Sequence, residues 1–319
     1  MPSFTDETLL SGDGKTQLRV RKCVPEGDAK AVVQIAHGIA EHVGRYDDFA
    51  AFLAKNGFVV VGNDHLGHGL SAKKKEDLGF FAEKGGWEIA VGDMRRVYER
   101  FRAEYPGLPW FLFGHSMGSF LSRTYLIKYP DGLAGAILSG TGQQPGVIVY
   151  AGKGMGRREI KKHGARYKSP LLNAMAFGSY NQRFEPRRTV SDWLSRDPAV
   201  VDAYRADPLC AFVPSAALFT DMMEGIGFNQ KRENLLKMKK DLPVYFMSGD
   251  ADPVGAYGKG VKKAFESFRK AGMTDVSIRL YPEGRHEMLN ELNRDEVYRD
   301  VLSWLNGKLQ EAGGTGDGN

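Results

Sequence analysis

Apolar residues fall along this chain in two rhythms. Short continuous or alternating runs predict strands at 4–10, 17–24, 31–36, 58–61, 109–113, 135–139, 243–248 and 276–281. Helical spacing fills the gaps between them. Phe49, Phe52 and Leu53 mark a helix over 46–56 that stops at Asn56-Gly57, and Ile89, Met94, Val97 and Phe101 mark another over 86–104. A third runs through Leu121, Tyr125 and Lys128, and later ones cover 260–270 and 295–309. Strand–helix–strand alternation at this spacing implies a parallel sheet with helices on both faces.

The rhythm lapses between Gly140 and Lys240. That stretch has helical patches and many breakers, among them Pro145, Pro170, Pro186, Pro198, Pro208 and Pro214, but no good strand. The implied division is an α/β core over 1–140 and 241–310, a helical cap inserted at 141–240, and a disordered tail at 311–319.

Composition narrows the setting. The 319 residues are 42% hydrophobic and 26% charged, as expected of an ordinary globular protein. A net charge of +5 is modest for this length and does not call for a nucleic-acid partner. The two cysteines, Cys23 and Cys210, suggest a reducing compartment rather than a disulfide framework. The N-terminus reads as no secretory leader, and no apolar run approaches membrane-spanning length, so a cytoplasmic location is expected.

Chemistry enters at Gly114-His115-Ser116-Met117-Gly118, where a strand passes into a helix. Two glycines flanking a serine there form a nucleophile elbow, so tight that a Cβ at either glycine would strike the neighbouring strand or helix. The pattern is weak in isolation, and residues further along the chain make it selective. Serine needs a base, and only His163 and His286 lie downstream. His163 sits in the irregular insertion, whereas His286 comes after the strand at 276–281, at the sheet edge where such sites are built. The acid that orients it comes from Asp250-Ala251-Asp252, after the strand at 243–248. Asp252, deeper in the loop and just before Pro253, is favoured; Asp250 remains the alternative, with a turn-forming role as its other reading. The Met117 amide and the Ile39 amide, at the end of the strand at 31–36, are the expected oxyanion donors. Asp64-His65-Leu66-Gly67-His68 has two histidines but no ligand cluster nearby, and reads as a loop bracing the oxyanion turn rather than a metal site.

These residues resemble the α/β-hydrolase superfamily, and within it the monoacylglycerol lipase and lysophospholipase branch with a serine aminopeptidase-type domain. The likeness is carried by His37-Gly38-Ile39-Ala40-Glu41-His42 with Arg45-Tyr46, by 63–71, by the elbow, by Gly249-Asp250-Ala251-Asp252 and by Glu283-Gly284-Arg285-His286. It implies Ser116 as nucleophile, Asp252 as acid, His286 as base, Ile39 and Met117 as oxyanion donors, and neither cofactor nor metal. It also implies that 141–240 caps the site and sets the substrate. The expected activity is hydrolysis of carboxylic esters of monoacylglycerol or lysophospholipid type, with a small ester or lipid as partner. Aminopeptidase and small-molecule carboxylesterase activity are the alternatives inside the fold, and a non-catalytic ligand binder the alternative outside it, though such relatives usually lose a triad member. Within the insertion, the basic run 153–168 suggests transient contact with an anionic membrane surface. Leu209, Phe212, Val213, Leu218, Phe219, Met222 and Met223 are candidates either for an acyl tunnel or for ordinary core. The oligomeric state is left open by the sequence.

Overall fold

The computed structural model describes residues 1–314, with side chains through residue 312. Eight strands, β1 (Ser3–Leu10), β2 (Gln17–Val24), β3 (Ala31–Ala36), β4 (Phe58–Asn63), β5 (Trp110–His115), β6 (Gly135–Ser139), β7 (Val244–Gly249) and β8 (Val276–Tyr281), form one sheet. Their order is β1-β2-β4-β3-β5-β6-β7-β8, and every pairing from β4 onward is parallel. Only the β1–β2 hairpin and its join to β4 are antiparallel. The sheet is therefore mostly parallel, as the alternating pattern implied.

The central strands are buried on both faces, which is why they read as continuous apolar runs. Side-chain alternation divides them between two cores. Phe111 and Phe113 of β5, with Val33 and Ile35 of β3, pack against α1 (Asp47–Lys55) and, at the other end of the chain, α10 (Arg294–Gly314). Trp110 and Leu112 face the opposite way, toward α2 (Gly86–Glu104), α3 (Met117–Lys128) and α9 (Lys259–Lys270). α10 continues into the stretch expected to be a disordered tail: residues 311–314 are its last turn, and 315–319 lie outside the described residues.

Between β6 and β7 the described residues form no strand. They hold α4 (Gly146–His163), α5 (Pro170–Phe177), α6 (Pro198–Ala206), α7 (Ala216–Asn229) and the short α8 (Arg232–Leu235). Prolines at 170 and 198 start α5 and α6 at the first-turn position where a missing N–H costs nothing. α7 is part of the main core, with Leu218, Met222 and Ile226 in the cluster that also takes in α2 and α3. No helix among the described residues is long and apolar enough to cross a membrane.

Candidate active site

The elbow forms for the reason its glycines suggested. Ser116 has φ +52°, ψ −121°, a strained conformation for a residue with a side chain. A Cβ on Gly114 would run into Ser122 of α3 and the Gly118 carbonyl, and one on Gly118 into the Ala36 carbonyl of β3. Ser116 thus stands between the C-terminal end of β5 and the N-terminus of α3, where the helix dipole favours negative charge.

The fold brings His286 and Asp252 together. His286 Nδ1 lies 2.9 Å from Asp252 Oδ2, and both side chains are fully buried. Asp252 also accepts from the Val254 amide at 2.8 Å and the Ser248 hydroxyl at 3.2 Å, which fix its carboxylate. Burial alone would push His286 below its ordinary value, but the charge and hydrogen bond of Asp252 outweigh it and hold the imidazole above that value. Asp250 is exposed and accepts the Glu283 amide at 2.7 Å, so it serves the turn and not the histidine. His163 stacks on Tyr167 at the end of α4 and lines neither of the cavities that meet at Ser116. Ser116 Oγ has no hydrogen-bond partner among the described residues, but Ser116 and His286 open onto the same cavity. Catalytic hydrogen bonds are commonly loose without substrate.

Ile39 and Met117 flank Ser116, and neither backbone amide has an intramolecular acceptor among the described residues. The Gly38 amide, by contrast, is taken by Glu41 Oε1 at 2.5 Å. Beneath the turn sit His37, His65 and His68, all buried. His37 Nδ1–H donates to Gly38 O at 2.7 Å, and its Nε2 accepts the His65 amide at 2.9 Å. Burial drives His65 to about 3 and His68 to about 4, and holds His37 far below its usual value. Three neutral rings packed together thus brace the turn of Gly38 and Ile39.

Sequence reasoning missed the ion network joining this turn to the loop of His286. Arg45 donates to Glu41 at 2.9 Å and grips Glu287 through two bonds of 2.6 Å. Glu41 holds the turn of Gly38 and Ile39, while Glu287 is the neighbour of His286. Burial raises the Glu41 carboxyl even against Arg45, whereas Arg45 overcomes burial to hold Glu287 below its usual value. The adjacency of Glu287 to His286 was the available signal; that Arg45 reaches it across 242 positions was not readable. Trp193 of the insertion was also missed. Its ring centroid lies 5.0 Å from that of His286, and its carbonyl accepts the His286 amide at 3.3 Å.

Two cavities meet at Ser116, both bordered by Ile39, Phe177 and Trp193. The larger, about 400 Å³, takes in His286, Glu287, Asn173, Tyr204 and Arg205. The smaller, about 120 Å³, is apolar and takes in Met117, Phe120, Phe219, Met222, Met223 and Ile226. Of the apolar candidates in the insertion, Phe219, Met222 and Met223 line the second cavity, Phe212 and Val213 the first. Leu218 is core, and Leu209 lines neither.

A serine raised on a strand–helix elbow, with a histidine–aspartate pair supplied by later strand loops of the same sheet, defines an α/β-hydrolase. The chain belongs to the serine aminopeptidase S33 family, whose model matches residues 27–293. Among curated relatives, the monoacylglycerol lipase of Mycolicibacterium smegmatis is 29% identical over 95% of this chain and 98% of its own length. The monoglyceride lipase of Mus musculus is 27% identical over 96% and 91%. Among solved structures, a thermostable carboxyl esterase from Bacillus coagulans in complex with glycerol superposes with a TM-score of 0.90. It is 30% identical, over 96% of this chain and 99% of that one.

Proposed function

We propose that the protein hydrolyses monoacylglycerols through an acyl-enzyme on Ser116, with lysophospholipids as secondary substrates. It is an ester hydrolase of the monoacylglycerol-lipase type. The observation that carries the finer reading is the pair of cavities meeting at Ser116, of which only the larger contains His286. Since the base must protonate the departing alcohol, the cavity that contains His286 takes the glycerol, and the other, walled by Phe120, Phe219, Met222, Met223 and Ile226, takes the acyl chain. In the reaction Ser116 Oγ attacks the ester carbonyl, and His286 Nε2 accepts its proton. Asp252 steadies the imidazolium, and the Ile39 and Met117 amides hold the oxyanion. Collapse passes the proton to the leaving alkoxide, and water then repeats the sequence on the acyl-enzyme.

The insertion acts as a cap in this reading, walling both cavities. It contributes no carboxylate to either among the described residues, and the two carboxylates the core presents to the larger cavity, Glu41 and Glu287, are both engaged by Arg45, which speaks against a peptidase that must hold a free α-amino group. Its outer rim suits a lipid surface. Val147 and Tyr150 at the start of α4 are 75% and 78% exposed, Leu171 of α5 is half exposed, and α4 continues into Lys161 and Lys162. Exposed apolar residues on a helix that also carries cations suit an anionic interface, each cation near that surface adding ~1 kcal/mol. Initial rates on a 1-monoacylglycerol, a lysophosphatidylcholine and an aminoacyl p-nitroanilide test the substrate assignment. The glycerol ester is expected to turn over fastest; a faster anilide would overturn it.

A further inference from the structure

Outside the catalytic site, His42, Asp207 and Cys210 bring one nitrogen, one carboxylate oxygen and one sulfur donor within 4.8 Å of one another. His42 comes from the loop after β3, just beyond Glu41. Asp207 and Cys210 come from the turn that ends α6. We propose that these three side chains form a binding site for a zinc-class divalent cation, clamping the β3 loop to the insertion.

Several features support it. The donor set is the one zinc takes, and three protein ligands leave a fourth position for water. The scaffold is already set: Asp207 O accepts the Cys210 amide at 3.0 Å, Asp207 Oδ1 accepts the Leu209 amide at 2.8 Å, and Ala40 O accepts the Ala211 amide at 3.0 Å. One carboxylate oxygen, Oδ2, faces His42 Nε2 at 2.8 Å, a hydrogen bond the cation would replace. His42 and Asp207 are partly exposed, at 15% and 30%, so an ion can reach them from solvent, while Cys210 is buried behind. Binding converts the Cys210 thiol to thiolate and releases its proton to water. A carboxylate and a thiolate then neutralise the dication, and the neighbouring Arg45 is already spent on Glu41 and Glu287.

His42 lies 165 residues before Asp207 in sequence, so only the folded chain can present all three ligands together. Binding must therefore raise the melting temperature by mass action. The full chain titrated with Zn²⁺ should bind one equivalent and melt higher. Cd²⁺ should give a thiolate-to-metal charge-transfer band in the ultraviolet. Cys210→Ser should abolish that band and weaken Zn²⁺ binding at least about 10-fold, the lower end of what losing even an outer partner costs a metal site. His42→Gln and Asp207→Asn should each weaken it similarly, while Cys23→Ser and Ser116→Ala bind as the parent does. Absence of one-equivalent binding in the parent chain would overturn the proposal, as would undiminished affinity in Cys210→Ser or a band that depends on Cys23. Because Ser116→Ala is expected to keep the site, this outcome is independent of the hydrolytic reading.

Discussion

Core and insertion both wall the two cavities, but they are fastened in different ways. Ser116, Ile39, Asp252 and His286 stand on loops at the C-terminal edge of β5, β3, β7 and β8, where buried strands dictate position. The insertion is fastened unevenly. Its stretch from Asp192 to Arg196 is tied directly to the loop that carries His286. Leu194 O accepts the Glu287 amide at 2.8 Å, Arg285 donates to Asp192 O at 2.5 Å, and Arg196 Nε meets Glu291 at 3.0 Å. α7 is built into the core outright, whereas the start of α4 and α5 presents apolar side chains to solvent. In the proposed reaction, chemistry falls to the edge of the sheet and selectivity to a wall with one fixed and one open side.

That contrast can be broken from the rigid side first. Asp252→Asn should lower kcat on a p-nitrophenyl ester by about 10⁴-fold, and Asp250→Asn by less than about twofold. Equal losses would refute the assignment of the acid. The pH profile sharpens the same point. Asp252 holds His286 above its ordinary value of 6.5, and as the proposed base His286 works only when neutral. Parent kcat/KM should therefore fall as pH drops through a value above 6.5, and Asp252→Asn should move that limb to lower pH. An unmoved limb would show that another group titrates.

The network under the Gly38–Ile39 turn comes next. Glu41→Gln weakens the grip on Arg45 and on the Gly38 amide, so kcat should fall about 10²-fold with KM little changed. Arg45→Met leaves two buried carboxylates facing each other and should cost about 3–5 kcal/mol in urea unfolding. Smaller effects belong to the insertion. Met223→Trp fills the apolar cavity and should raise KM for long acyl chains about 10-fold, leaving short ones alone. A uniform loss across chain lengths would place the acyl chain elsewhere. Val147→Asp with Tyr150→Asp should weaken binding to anionic vesicles several-fold, with turnover of a soluble ester unchanged.

The same division explains what the sequence made legible. Sheet positions announce themselves because a strand buried on both faces must be apolar, and because Gly114 and Gly118 are required by contacts a Cβ would violate. Chain order then separated His286 from His163. Asp252 and Asp250 are harder to separate, since both occupy one loop and only the folded structure, which buries Asp252 against His286 and leaves Asp250 exposed on the Glu283 turn, distinguishes them. Beyond local spacing the pattern carries no information. Arg45 reaching Glu287, Trp193 lying on His286, and Met223 but not Leu218 facing a cavity are matters of tertiary packing. Such packing leaves no periodic trace.

The most direct test of the elbow's role is covalent. Treatment with a fluorophosphonate, followed by peptide mapping, should place one adduct on the peptide containing Ser116, and excess monoacylglycerol should slow its formation. Ser116→Ala, with its melting temperature unchanged, should take up no label. An adduct on another residue, or none on the folded parent chain, would contradict the claim that this elbow carries the reaction.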